Sequence, residues 1–285
     1  MNEAPGPLAP TATQTIAGLY TESFRPAGDP TGIVVLTHGY ADHCGRYREV
    51  AHVIAKAGWA TFAYDCRGHG QSPGQRGYID RFSTYLADLT AMQAAARRQF
   101  GASLPLVLLG HSHGSLITLR ALAGDQPPAV AGAIVSSPFL GLRLAVPGWQ
   151  RLLGRVASRI APRLSQPNSL RAEDLTHDVQ KQAEQRADPL CFHVATARWF
   201  TEASAAQDYV FAHAGRITVP TTWLVGHDDP IADAARSQAV AAKVPGASYH
   251  DLAGMKHEVF NEIDRGKVFS ELTKALIRAA PATRD

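Results

Sequence analysis

Long apolar runs, paired cysteines and dense basic blocks are all missing from this chain of 285 residues, and each absence removes a class of protein. No apolar stretch reaches the roughly 18 residues that a membrane-spanning helix needs. Cys44, Cys66 and Cys191 stand far apart with no C-x-x-C pair, which argues against a zinc site and a disulfide framework and fits a reducing, cytoplasmic compartment. A net charge of +3 without a Lys/Arg block disfavours nucleic acid as a partner. Residues 1–15 have neither the basic start nor the apolar core of a signal peptide and read as a disordered lead-in rich in Pro and Ala. Beyond them there are no repeats and no low-complexity blocks. What is present is a 45% hydrophobic content, enough for a large core, and one domain carrying an insertion suits this length better than two independent domains.

Runs rich in β-branched and apolar residues recur at Ile33 to Thr37, Trp59 to Tyr64, Leu104 to Leu109, Ala131 to Ser136, Thr221 to Val225 and Ser248 to Leu252. Helix-length segments lie between or after them, at His43 to Ala57, Arg81 to Phe100, Ser115 to Ala123, Asp233 to Val244 and Arg265 to Ala279. Such alternation predicts a mostly parallel sheet covered on both faces, with ligands bound beyond the carboxyl ends of the strands. The alternation fails over 139–216. That stretch holds Pro147, Pro162, Pro167 and Pro189, several helix-like pieces and no convincing strand, so it is expected to be an all-helical lid inserted into a core formed by 16–138 and 217–285.

Gly110-His111-Ser112-His113-Gly114 follows one of the apolar runs and opens a helix. A strand that feeds a helix through one tight turn exposes the middle side chain at the sheet edge, which is the nucleophile elbow of the α/β-hydrolase fold. Serine needs an imidazole to take its proton and a carboxylate to orient that imidazole, and on this fold they follow in the order Ser, Asp or Glu, His. Gly226-His227-Asp228-Asp229 follows one strand and Gly254-Met255-Lys256-His257 the last. Asp228 and Asp229 both compete for the acid. His257 is preferred to His250 as the base, because His250 falls inside a strand and His257 follows its turn. The oxyanion of an acyl-transfer intermediate needs two N–H donors; the backbone N–H groups of His113 and of Tyr40, in the loop after Ile33 to Thr37, are the candidates. A metal reading of His111 and His113 has no third ligand at metal spacing.

Two further segments have two readings each. Asp65 to Ser72 could place Asp65 or His69 in a pocket, but its glycines favour a structural loop in which Asp65 and Arg67 bond the backbone. Trp149 to Ala161 sets Leu152, Leu153, Val156 and Ile160 on one side and Arg151, Arg155 and Arg159 on another. This amphipathic helix could lie on an anionic lipid surface. A lid helix that packs its apolar side inward and leaves the arginines in water is the favoured reading.

With these residues in hand, the chain resembles the monoacylglycerol lipase and lysophospholipase family of α/β-hydrolases over nearly everything after the first 15 residues. The carrying segments are His38 to Tyr47, Asp65 to Ser72, Gly110 to Gly114, Asp188-Pro189-Leu190, Thr196 to Phe200 and Gly254 to Glu258. The resemblance implies a cofactor-free, metal-free serine hydrolase that cleaves a long-chain monoacylglycerol or lysophospholipid-type ester through an acyl-enzyme. Ser112 would be the nucleophile, His257 the base and Asp229, three residues after its glycine, the acid; Tyr40 and His113 would supply the oxyanion hole. The chain departs from the family where His113 replaces a frequent Met or Leu, Ser115 a frequent Gly, and Tyr40 a frequently smaller residue. The rival readings are a short-chain esterase, a peptidase or acyltransferase on the same fold, and a hydrolase-like binding protein without catalysis.

Overall fold

The computed structural model describes residues 8–144, 147–168 and 170–280. The elements run β1 (Ala12–Ile16), β2 (Leu19–Phe24), β3 (Gly32–Thr37), α1 (Arg48–Lys56), β4 (Trp59–Tyr64), α2 (Phe82–Phe100), β5 (Leu106–His111), α3 (His113–Leu122) and β6 (Gly132–Ser136). They continue with α4 (Gly148–Ile160), β7 (Ser165–Pro167), α5 (Ala172–Leu175), α6 (Val179–Ala187), β8 (Val194–Thr196), α7 (Ala197–His213), β9 (Thr221–Gly226), α8 (Ala234–Ala241), β10 (Ser248–Leu252) and α9 (Arg265–Ala279). Eight strands form one sheet in the order β1-β2-β4-β3-β5-β6-β9-β10. β1, β2 and β4 pair antiparallel, and every pairing from β4 to β10 across the centre is parallel.

Burial on both faces explains the unbroken apolar strands. In β3, Ile33 and Val35 join one core cluster with Leu89 and Met92 of α2, Leu116 of α3 and Val240 of α8. Val34 and Leu36 join the other, with Val50 of α1 and Leu272 of α9. A parallel sheet sandwiched by helices demands such continuous apolar runs. Its register also aligns the site: Thr37 pairs with Gly110 and Leu252 with Gly226, so the loops leaving β3 and β5, and those leaving β9 and β10, emerge side by side at the carboxyl edge.

Two expectations need correction. The lead-in does not stay irregular to residue 15, since Ala12–Ile16 forms β1 and pairs with β2 through a two-residue turn at Ala17 (φ 50°) and Gly18 (φ 79°). Both residues with positive φ give the hairpin a twist that matches its strands. Residues 1–7 lie outside the described part. The insertion between β6 and β9 is not all helical either, because β7 and β8 pair antiparallel as a short ribbon. Three-residue strands with exposed side chains at Ser165 to Pro167 leave no alternating pattern to read.

The amphipathic segment is helix α4, but its apolar side does not turn inward. Leu152 is 60% exposed and Ile160 79%, and Trp149, Leu153 and Val156 are exposed as well. Buried Ser158 meets α7 instead, its Oγ 2.8 Å from Thr201 Oγ1, flanked by half-buried Gly154, Ala157 and Ala161. Small residues allow close helix approach, which leaves the large apolar ones on the outer face. Arg155 and Arg159 are exposed, and the Arg151 side chain lies outside the described part.

Candidate active site

Ser112 occupies the turn between β5 and α3 at φ 49°, ψ −109°, a backbone region costing roughly 1–3 kcal/mol for a residue with a side chain. The surroundings hold it there: its N–H donates to the Ser136 carbonyl at 2.8 Å, and its carbonyl accepts from Phe139 at 3.1 Å. Glycine is obligatory on either side. A Cβ at Gly110 would lie 2.5 Å from the Gly114 carbonyl group, and one at Gly114 would strike the Thr37 carbonyl oxygen of β3. Ser115, where the family often has glycine, donates to the Gly110 carbonyl at 2.7 Å and accepts from Ser136 N–H at 3.1 Å. It thereby fastens the elbow to β6.

The strained turn aims Ser112 Oγ at His257 Nε2, 2.9 Å away, and His257 Nδ1 lies 2.7 Å from Asp229 Oδ2. Asp229 accepts from Ile231 and Ala232 N–H groups through Oδ1, at 2.8 and 2.9 Å. An ionised carboxylate only accepts, so Nδ1 carries the imidazole proton and Nε2 is left free to accept one from serine. Burial raises the Asp229 carboxyl, but His257 and the two N–H groups outweigh it and the net shift is downward. Burial opposes charge on His257, yet Asp229 beside it shifts the imidazole upward overall. Asp228, exposed, bonds Gly254 N–H at 3.1 Å, and His250 sits in β10 against Ser248 and Glu271. Neither reaches Ser112.

The loop after β3 lies against the elbow, where a Cβ on Gly39 would come within 3.6 Å of Ser112 Cβ. Among the described residues neither the Tyr40 nor the His113 N–H has a protein acceptor. The His113 N–H also heads α3, whose dipole favours negative charge at that end. The His113 ring is fully buried among Tyr85, Phe82, Trp199 and Tyr40. Burial pushes its pKa down to about 3, which keeps it uncharged at neutral pH. His111 Nδ1 instead lies 3.1 Å from Ser136 Oγ.

The Asp65 to Ser72 loop divides the expected roles. Asp65 accepts from Cys44 and Gln71 N–H groups, each at 2.7 Å; the Arg67 carbonyl lies 2.9 Å from His69 Nδ1 within the loop, but its guanidinium leaves the loop and pairs with Asp88 of α2 at 2.8 Å. His69 is buried against His38, and neither Asp65 nor His69 borders the cavity.

That cavity, of about 320 Å³, is lined by Ser112 and His257 and by residues of the insertion. Phe139, Leu142, Phe192, Trp199, Phe200 and Ile231 are among its apolar lining, and Asp42, Arg46, Glu258, Asn168 and Gln185 among its polar lining. Arg46 forks onto Glu258 with two 2.8 Å bonds and reaches Asp42 at 3.1 Å. Burial opposes all three charges, but their mutual attraction prevails, raising the guanidinium and lowering both carboxyls. Sequence reasoning missed this cluster. The available signals were Glu258 directly after His257 and Asp42 four residues before Arg46.

A monoacylglycerol lipase of Mycolicibacterium smegmatis is 29% identical over 257 residues, 89% of this chain and 91% of the relative. The phospholipase YtpA of Bacillus subtilis is 28% identical over 249 residues, 85% and 94% of the two chains. The crystal structure of Paleococcus ferrophilus monoacylglycerol lipase superposes with a TM-score of 0.83 at 26% identity, over 92% of this chain and 99% of that one. Residues 28–264, which carry the parallel strands, the insertion and every residue of the Ser112 arrangement, match the α/β-hydrolase family described as "Serine aminopeptidase, S33" (Hydrolase_4), and the chain belongs to that family.

Proposed function

We propose that this protein hydrolyses a long-chain carboxylic ester, with Ser112 as nucleophile, His257 as base and Asp229 as the acid that orients it. The observation carrying this reading is the hydrogen-bonded Ser112–His257–Asp229 line on the floor of a largely apolar cavity. Ser112 attacks the ester carbonyl as Nε2 takes its proton, and the Tyr40 and His113 N–H groups receive the oxyanion. His257 then returns the proton to the leaving alcohol, and water repeats the sequence on the acyl-enzyme. Residues 139–216 act as a lid over this chemistry, and the reaction calls on no metal or cofactor.

Charge in the polar lining favours one head group. Asp42 and Glu258 both face Arg46, so this cluster carries one more negative than positive charge and repels a phosphodiester. A neutral polyol head group suits it, which favours a monoacylglycerol over a lysophospholipid. The exposed apolar face of α4, with Arg155 and Arg159 beside it, lies on an anionic lipid surface from which the substrate is drawn. No described helix is long and apolar enough to cross a membrane.

The test is turnover of wild type and Ser112→Ala on short and long acyl p-nitrophenyl esters, a monoacylglycerol and a lysophosphatidylcholine. We expect Ser112→Ala to lose roughly 10⁴-fold or more, with the monoacylglycerol preferred by wild type. Turnover confined to short esters would make the protein a general esterase, and no ester turnover would move the assignment to amide cleavage or acyl transfer.

A further inference from the structure

Tyr40 contributes more than a backbone N–H to its surroundings. Its ring stacks on Trp199 of α7, centroids 3.7 Å apart at 30°, and its hydroxyl donates to the Val194 carbonyl of β8 at 2.6 Å. The next residue, Ala41, accepts from Phe192 N–H at 3.3 Å. Two residues further on, His43 Nε2 lies 2.8 Å from Asp188. The loop that follows β3 is therefore bonded at Tyr40, Ala41 and His43 to residues 188–194 of the insertion.

The backbone at this place is strained as well. Ala41 sits at φ 60°, a left-handed conformation that persists in a residue with a Cβ only where its surroundings impose it. Space around the tyrosine hydroxyl is equally exacting. A Cβ on Gly77 would fall 2.6 Å from that oxygen and 2.7 Å from the Val194 carbonyl, and Gly77 itself accepts from Thr196 N–H and Oγ1.

Resting on the hydrolase reading above, we infer that the Tyr40 side chain is a positioning residue that straps the oxyanion loop to the insertion, so that where 188–194 sits sets where the Tyr40 N–H points. With the insertion seated, the phenol and the Phe192 bond hold Ala41 in its strained form and the N–H faces the reacting carbonyl. With it displaced, the loop is free to relax and one oxyanion donor is lost. Substrate entry and transition-state stabilisation thereby become one mechanical event. A smaller residue at position 40 would keep the donor and lose the strap.

Tyr40→Phe removes the hydroxyl and keeps the ring. kcat and KM are measured on a long-chain ester, together with inhibition by a long-chain alkyl trifluoromethyl ketone, whose serine adduct carries an oxyanion, and by the matching alcohol, which carries none. We expect Tyr40→Phe to lower kcat about tenfold with KM within about twofold, to weaken the ketone by the same factor and to leave the alcohol unchanged. Asp188→Asn, which weakens the His43 tie of the same strap and does not line the cavity, should repeat the pattern at about threefold and serves if Tyr40→Phe folds poorly. The control is Gln75→Ala, which cuts a different core-to-insertion tie, to Arg163 O and Ser165 Oγ, and should stay within about twofold throughout. Unchanged kcat in Tyr40→Phe, equal loss in Gln75→Ala, or loss of alcohol and ketone binding alike would overturn the strap while leaving the hydrolase reading intact. Full turnover in Ser112→Ala would remove both.

Discussion

His257 is the residue on which pH should act. Asp229 shifts its imidazole upward, so the protonated form, which cannot act as the base proposed above, persists to a higher pH than the ordinary ~6.5. kcat/KM is therefore expected to fall as pH drops through a value above ~6.5, the limb reporting loss of the neutral base. Asp229→Asn removes the charge that raises this pKa, so the limb should move to lower pH while kcat falls roughly 10⁴-fold. Asp228→Asn should leave both nearly unchanged. A pH–rate profile of the three proteins checks this, and the reverse ranking would identify Asp228 as the acid. That Ser112 and His257 come together was readable because a glycine-flanked serine between strand and helix, and a histidine just past the last strand, are local patterns. The choice between two adjacent aspartates was not local: it depends on which one the turn after β9 directs at His257, and the resemblance had to decide it. Arg46 and Glu258 lie 212 positions apart; Asp42 four residues before the one and His257 directly before the other mark each position, but not that the two pair.

At the scale of elements, legibility followed burial. The strands of the parallel centre, apolar on both faces, were recognisable with boundaries off by a residue or two. β1 has mostly exposed positions, and β2 buries Thr21, Glu22 and Ser23, with Glu22 neutralised by Arg48, so neither carries a clean strand pattern. Helix α4 was readable as a helix but its orientation was misjudged, since amphipathic spacing says which residues share a face and not what that face meets. Its inner side rests on Ser158, which leads to a paired prediction. Ser158→Leu should destabilise the protein by about 1–3 kcal/mol through overpacking and loss of the Thr201 bond. Leu152→Ser on the outer side should stay within about 0.5 kcal/mol. Denaturant midpoints for both variants give the comparison, and the opposite order would show that the outer face is the packed one.

For the molecule as a whole, the apolar face of α4 belongs to the same insertion that lines the cavity. If that face meets lipid, binding to anionic vesicles should weaken as salt screens the arginines. Arg155→Gln with Arg159→Gln should reduce binding and flatten its salt dependence, while hydrolysis of a monomeric soluble ester stays as in wild type. Sedimentation with vesicles at several ionic strengths measures it, and equal binding by the double variant would leave both arginines as solvent-facing residues only. An enzyme held at an interface by its own insertion no longer samples substrate from three-dimensional solution. The concentration that governs its rate is then the mole fraction of ester in the lipid surface, so diluting that surface with inert lipid slows turnover even when the total amount of ester is constant.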